Sequence, residues 1–163
     1  MIDTDFIIRE IEPKDNKEIA AVVRSVFIEL NTPTKGTAFE DESLDDMYST
    51  YQKERSIYFV LEHNEQIVGG GGISKLDNFE ENTCELQKMY FLPIARGKGL
   101  GSKMIELCLL KAKEFGFDQC YLETFTFMKA AQNLYKKNGF TYIDSPMGNT
   151  CHTACDVWMI KEL

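Results

Sequence analysis

The stretch Tyr90-Phe91-Leu92-Pro93-Ile94-Ala95-Arg96-Gly97-Lys98-Gly99-Leu100-Gly101-Ser102 decides how the rest of the chain reads. Upstream, Thr83 to Leu92 has the character of a strand that must end at Pro93. Downstream, Gly99 to Phe115 has helical periodicity, with Met104, Leu107, Cys108, Ala112 and Phe115 spaced to face inward and Gly116 as the stop. Between them lies a turn with three glycines. Glycines let a backbone approach a ligand closely and aim several N–H groups at one point. The first four N–H groups of a helix lack internal partners, and the helix dipole favours an anion there. Arg96, Lys98 and Lys103 add positive charge to a chain that is otherwise acidic. A phosphate or pyrophosphate is the expected guest. No two glycines stand five apart before Lys and Ser/Thr, so this is not a P-loop. The dinucleotide fingerprint would need a glycine where Ser102 stands, in an opening βαβ unit and not after three antiparallel-type strands. A bare strand-to-helix turn, the simplest alternative, does not call for three glycines flanked by arginine and lysine.

Working outward, the chain opens with the apolar strand Phe6 to Ile8 and a break at Pro13. A helix follows, with Asp15 as N-cap, Glu18 at the capping-box spacing, and Ile19, Val22, Val23, Val26, Phe27 and Leu30 on one stripe. Asn31-Thr32-Pro33 stops it, and a second, acid-rich helix is expected over Ser43 to Gln52. Ser56 to Leu61 and Gln66 to Ser74 read as a hairpin across Glu62 to Glu65. The run Gly69-Gly70-Gly71-Gly72 is flanked by valine and isoleucine, which favours a strand with a bulge or a close backbone approach over a linker. Gln119 to Thr124 is a strand, Met128 to Asn138 a helix capped by Gly139, and Phe140 to Ile143 and Asp156 to Met159 are the last strands. The order predicts one mixed α/β domain over residues 1–163, with helices on the faces of its sheet.

Composition bounds the function. The 163 residues carry 18 Lys+Arg against 26 Asp+Glu, a net charge of -8 that argues against a nucleic-acid or anionic-membrane partner. The longest apolar runs, Ile19 to Val23 and Ile57 to Leu61, are far too short to span a bilayer. Met1 to Asp5 has no signal-peptide core, and five cysteines are an odd count, so free thiols in the cytoplasm are expected.

Arg96-x-x-Gly99-x-Gly101, after a strand ending Tyr90-Phe91-Leu92-Pro93, resembles the acetyl-CoA motif of the GNAT superfamily of N-acetyltransferases. Ala131-x-x-Leu134-Tyr135-x-Lys137-x-Gly139-Phe140 resembles that family's second motif at the expected distance, and the element order matches over residues 6 to 163. The resemblance implies a mostly antiparallel, splayed sheet of six to seven strands flanked by about four helices. It implies transfer of acetyl from acetyl-CoA to a primary amine of a small molecule or peptide, by direct attack in a ternary complex. Pantetheine would pair with the backbone near Met89 and Phe91 in a gap against the strand Gln119 to Thr124, and an N–H of Met89 or Tyr90 would polarise the acetyl oxygen. Gly97, Gly99, Leu100, Gly101 and Ser102 would take the pyrophosphate, with Arg96, Lys98 and Lys137 nearby. Tyr135 falls where the family places a tyrosine near the thioester sulfur. Glu85 and Glu123 both fit a general base, directly or through water. Where the family often has an asparagine, this chain has Met128. A non-catalytic acyl-CoA-binding module of the same fold is the alternative, and the protein is expected as a monomer or homodimer.

Cys151-His152-x-x-Cys155 offers at most three metal ligands, at a spacing of neither a zinc finger nor a haem site, so no metal is expected. The loop instead is expected to line the acceptor pocket, with His152 near the amine. Glu40, Asp41, Glu42, Asp45 and Asp46 read as a solvated face or, if functional, as a preference for a cationic acceptor.

Overall fold

Alternate residues of a strand face opposite sides, and a strand covered on both faces reads as continuously apolar. The strand Ile57–His63 shows this directly. Ile57, Phe59 and Leu61 enter one buried cluster, while Tyr58 and Val60 enter another. In the computed structural model, which describes residues 5–163, the strands are β1 (Phe6–Glu10), β2 (Ile57–His63), β3 (Gln66–Lys75), β4 (Thr83–Phe91), β5 (Gln119–Thr124), β6 (Thr141–Ile143) and β7 (Val157–Glu162). The acidic start at Met1 to Thr4 lies outside the described residues. The helices are α1 (Asn16–Glu29), α2 (Met47–Thr50), α3 (Leu100–Glu114) and α4 (Lys129–Lys137). One seven-stranded sheet runs β1-β2-β3-β4-β5-β7-β6. Its neighbours are antiparallel except β4 with β5. The α1 stripe Ile19, Val22, Val23 and Phe27 packs on the face that holds Tyr58, and α3 covers the other with Met104, Ile105, Cys108 and Leu109. Leu107 and Phe115, expected inward, are half-buried at the margin of that cluster. The hairpin turns on two residues, Asn64 and Glu65, both at positive φ.

Two local expectations fail. Asp15 precedes α1 but does not cap it, because its carboxylate accepts two hydrogen bonds from Arg9, at 2.7 and 2.9 Å, and one from the N–H of Glu12, at 2.8 Å, which closes a capping box on the 3-10 turn Pro13–Asp15 instead. Glu18 meanwhile accepts from the backbone N–H of Ile67. The helix expected over Ser43 to Gln52 is broken into a 3-10 turn, Glu42–Asp46, and the single turn of α2. Asp46 leaves helical geometry (φ -140°, ψ 59°), and its side chain accepts from the N–H of Ser49. No helix among the described residues is long and apolar enough to cross a membrane.

Candidate active site

The site begins where β4 breaks its ladder with β3. Gly70 pairs with Tyr90 but Gly72 with Gln87, so β4 spends three residues where β3 spends two. Lys88 sits inside this bulge at φ 47°, a left-handed conformation uncommon for a lysine. Its carbonyl accepts a 2.7 Å hydrogen bond from the hydroxyl of the buried Tyr58. The glycine run makes that bond possible. A Cβ on Gly70 would stand 2.7 Å from the Tyr58 ring, and one on Gly72 2.6 Å from it. On the other face Gly69 leaves room for the Phe91 ring and Gly71 for Met89.

The bulge lies just past the point where β4 and β5 stop pairing. Their parallel ladder covers Thr83–Glu85 against Gln119–Tyr121. Beyond it the strands part around a cavity of about 600 Å³. Glu85, Met89, Tyr90, Phe91, Arg96, Gly97, Gly99, Leu100, Gly101, Ser102, Glu123, Tyr135, Lys137 and His152 all line it. Of the residues expected from sequence, Lys98 does not. Its ammonium lies over the Phe6 ring, 5.8 Å from the centroid. Arg96 is present but not a free cation, since Glu29 takes its guanidinium at 2.7 and 2.8 Å and the Phe91 carbonyl accepts from Nε.

At one end of the cavity is the glycine turn. Gly97 (φ 71°) and Gly99 (φ 77°) face open space, with no atom within 4 Å of a Cβ built on either. They are required by backbone conformation, not by packing. Gly99 caps α3 with no side-chain bond, so the first N–H groups of that helix are left for another acceptor. Gly101 differs, because a Cβ there would meet Leu134 at 2.7 Å. It lets α3 and α4 approach. Bare N–H groups, two left-handed glycines and Lys137 on the lining suit a pyrophosphate at this end.

At the other end the polar groups gather. Glu85 is buried and accepts from Gln87 Nε2 at 2.7 Å; Gln87 in turn accepts from Tyr51 Oη at 2.6 Å. Burial pushes the Glu85 carboxyl up to about 7; the bond from Gln87 opposes the rise and the charge of Glu123 adds to it. Glu123 is held by hydroxyls, accepting from Tyr121 at 2.7 Å and from Thr150. Tyr135 projects from α4 into the cavity with its ring edge-on to Phe140, and burial pushes its phenol up to about 12. Its hydroxyl has no hydrogen-bond partner among the described residues. The Cys155 thiol shares this wall and is likewise pushed up to about 12, by burial first and the charge of Glu123 second. Met128, at the head of α4, lines the cavity and accepts from the Thr124 hydroxyl through sulfur, at 3.7 Å.

His152 comes from the closing loop as expected, but its partner was not foreseen. Asp41 takes His152 Nε2 at 2.9 Å and Lys88 Nζ at 3.0 Å. Burial opposes the charge on both partners of the histidine pair. Their mutual bond outweighs it, raising the His152 pKa and, with help from Lys88, lowering that of Asp41. Three other acids of this segment are engaged as well. Asp45 pairs with Arg24, Asp46 with Asn16 and Ser49, and Glu40 accepts from the N–H of Gly36. No group of three or more His, Cys, Asp or Glu among the described residues is placed to hold a metal ion.

Sequence reasoning missed Lys88 and Gln87, and it named Asp41 only as one acid of a solvated or acceptor-facing run, without its pairing to His152 and Lys88. One signal was available for the first two: Glu85-Leu86-Gln87-Lys88-Met89 breaks strand alternation with two consecutive polar residues, as a bulge does.

A model described as the acetyltransferase (GNAT) family matches residues 24–140. A protein of Escherichia coli (strain K12), named "Uncharacterized N-acetyltransferase YjgM", is 44% identical over 158 residues, covering 96% of this chain and 95% of its own length. Among solved structures, a GNAT-family acetyltransferase from Staphylococcus aureus Mu50 superposes with a TM-score of 0.86 at 24% identity, over 97% of this chain and 99% of the other. The PaiA N-acetyltransferase of Thermoplasma acidophilum, solved in complex with coenzyme A, gives 0.73 at 16% identity, over 97% and 99%. The family match over most of the chain and the relative at 44% identity settle its membership, and this chain belongs to the GNAT family of acyltransferases.

Proposed function

We propose that the protein is an acetyl-CoA-dependent N-acetyltransferase, one domain over residues 1–163, in which a primary amine attacks the donor directly in a ternary complex. The observation that carries this reading is that Glu85 and Tyr135 line one cavity whose far end is the glycine turn. Acetyl-CoA, when bound, supplies an activated acyl carbonyl and a thiol leaving group. The turn N–H groups and Lys137 suit its pyrophosphate, and the open edge of β4 past Glu85 suits amide groups lying alongside as an added strand.

Glu85 is the base in this reading. Free carboxylates near pH 4.3 are poor acceptors for an ammonium proton at about 10.4, and a carboxyl raised to about 7 narrows the gap by more than two units. Glu123 already accepts from two hydroxyls, which suits it to orienting the acceptor or a water. As the amine nitrogen bonds to the acyl carbon, its proton passes to Glu85 and the carbon–sulfur bond breaks. Tyr135 serves the departing sulfur. Burial pushes the phenol up to about 12, which makes it a weak acid, and the same burial would favour a protonated sulfur over a thiolate on this wall, which supports transfer from phenol to sulfur.

Removing only the oxygen, in Tyr135→Phe, is expected to lower kcat at least about tenfold while the acetyl-CoA dissociation constant stays nearly unchanged. Turnover at the wild-type rate with a good acceptor would reduce Tyr135 to a packing residue. Tight acetyl-CoA binding with no turnover of any amine would favour the non-catalytic module.

A further inference from the structure

We propose that Lys88 and His152 form a seat for the carboxylate of the acceptor, so that the substrates of this enzyme are small α-amino acids. The inference rests on the acetyltransfer reading and adds to it the class of acceptor.

Both cations line the cavity, and Asp41, which touches both, does not. Asp41 therefore backs them from outside the cavity. Two cations sharing one carboxylate leave this corner of the lining one net positive charge whenever His152 is protonated, opposite the carboxyls of Glu85 and Glu123. Lys88 is the sharper case. Its side chain is only 7% exposed, and an ammonium has three N–H donors, of which one goes to Asp41. Among the described residues it has no second partner. A buried ammonium held by a single carboxylate is poorly compensated, and a second oxygen ligand is what it lacks. The bulge fixes the backbone that carries this side chain, because the Lys88 carbonyl is anchored by Tyr58, and Asp41 holds the ammonium itself.

The seat also lies within electrostatic reach of the base: His152 and Lys88 both pull the Glu85 carboxyl toward ionisation. In an α-amino acid the amine stands one carbon from the carboxylate, so an acid held by Lys88 and His152 would present its nitrogen toward Glu85. A polyamine finds no such seat. Four of the five acids that sequence suggested for a cationic acceptor, Glu40, Asp41, Asp45 and Asp46, are already engaged.

The test uses the twenty common α-amino acids, each as free acid and as its carboxamide, with CoA release as the rate readout. Binding of the matching N-acetyl products to the CoA-loaded protein is followed by ligand-observed NMR. The accepted acids are expected to exceed their carboxamides by roughly 30-fold or more in kcat/KM. Lys88→Met should collapse that ratio to within about threefold while acetyl-CoA affinity, measured by calorimetry, holds. Because Lys88 is buried in a bulge, His152→Gln, on the irregular closing loop and half-buried, serves as the second variant and should lower the ratio by roughly fivefold or more. Carboxamides or diamines turned over as well as acids, or a ratio untouched in both folded variants, would overturn the seat. So would acids that are inert in both readouts while acetyl-CoA still binds. Loss at the first step, no acetyl-CoA binding to the wild-type protein, would instead sink the acetyltransfer reading and this one with it.

Discussion

Replacing Glu85 by glutamine should make the enzyme slower and, at alkaline pH, more stable. Burial moves the Glu85 carboxyl from an ordinary 4.5 to about 7. A folded state that binds a proton more tightly than the unfolded chain is stabilised where that proton is present. The contribution is full below the unfolded value of 4.5 and is lost as pH rises through about 7. A shift of about 2.5 units corresponds to about 3 kcal/mol, most of it lost between pH 5 and pH 8. Glutamine has the shape of the protonated acid and still accepts from Gln87, so the variant keeps this stability at every pH. Urea unfolding at the two pH values tests the difference directly. With a slope of about 2 kcal/mol per molar urea, the midpoint of Glu85→Gln should exceed that of the wild type by about 1 M at pH 8 and by little at pH 5. All other titrating groups are common to both proteins and cancel. In the same variant kcat should fall by about 10²-fold or more, and the wild-type kcat/KM should rise with pH through about 7. Parallel stability curves would show that Glu85 is not held protonated by its burial. Undiminished kcat would show that it is not the base.

Two further substitutions probe the frame around that carboxylate. Gly99→Val places a β-branched residue at φ 77° and covers the open N–H groups of the turn; it should cost about 1–3 kcal/mol of strain and weaken acetyl-CoA binding at least about tenfold by calorimetry, with circular dichroism unchanged. Tyr58→Phe leaves the Lys88 carbonyl without its buried donor and should cost about 1–3 kcal/mol in urea unfolding, together with a drop in kcat; full activity would mean that the bulge holds itself.

The elements were legible in the sequence because their signals are local. The α1 stripe, the hairpin run of β2 and the turn before α3 each fall within a residue or two of the expected bounds. The failures share a different origin. Asp15 had the type and spacing of an N-cap, but Arg9, on a neighbouring strand, competes for its carboxylate with two charged hydrogen bonds. Lys98 had the charge and place of a phosphate ligand, but its stem leads toward Phe6. The glycine run was expected to mark a bulge or a close approach, and it marks both. No local pattern could say that the ring crossing it would come from Tyr58, or that Asp41 would meet a histidine 111 positions away. Long-range polar pairs are written in the topology, not in the spacing of residues.

What keeps β4 and β5 apart explains why the polar groups sit where they do. A parallel pair, once started, gains a hydrogen bond with each further residue, so the ladder that covers Thr83–Glu85 would be expected to continue. Three contacts stop it from within the protein. The bulge at Lys88 turns β4 aside, Tyr58 fixes the bulge from the opposite face, and Arg96 ties the end of the strand to Glu29 of α1. The cavity is therefore built by residues that do not react. Buried acids and amines are costly in a closed sheet, yet Glu85 and Lys88 both occur within three residues of the point where the ladder ends. The opening makes them accessible: each has one partner among the described residues, Gln87 for the carboxyl and Asp41 for the ammonium, and each lines the cavity. A cavity arranged in this way holds a carboxyl and an ammonium in position before any ligand arrives, which is the condition for electrostatic groups to act without reorganising during reaction.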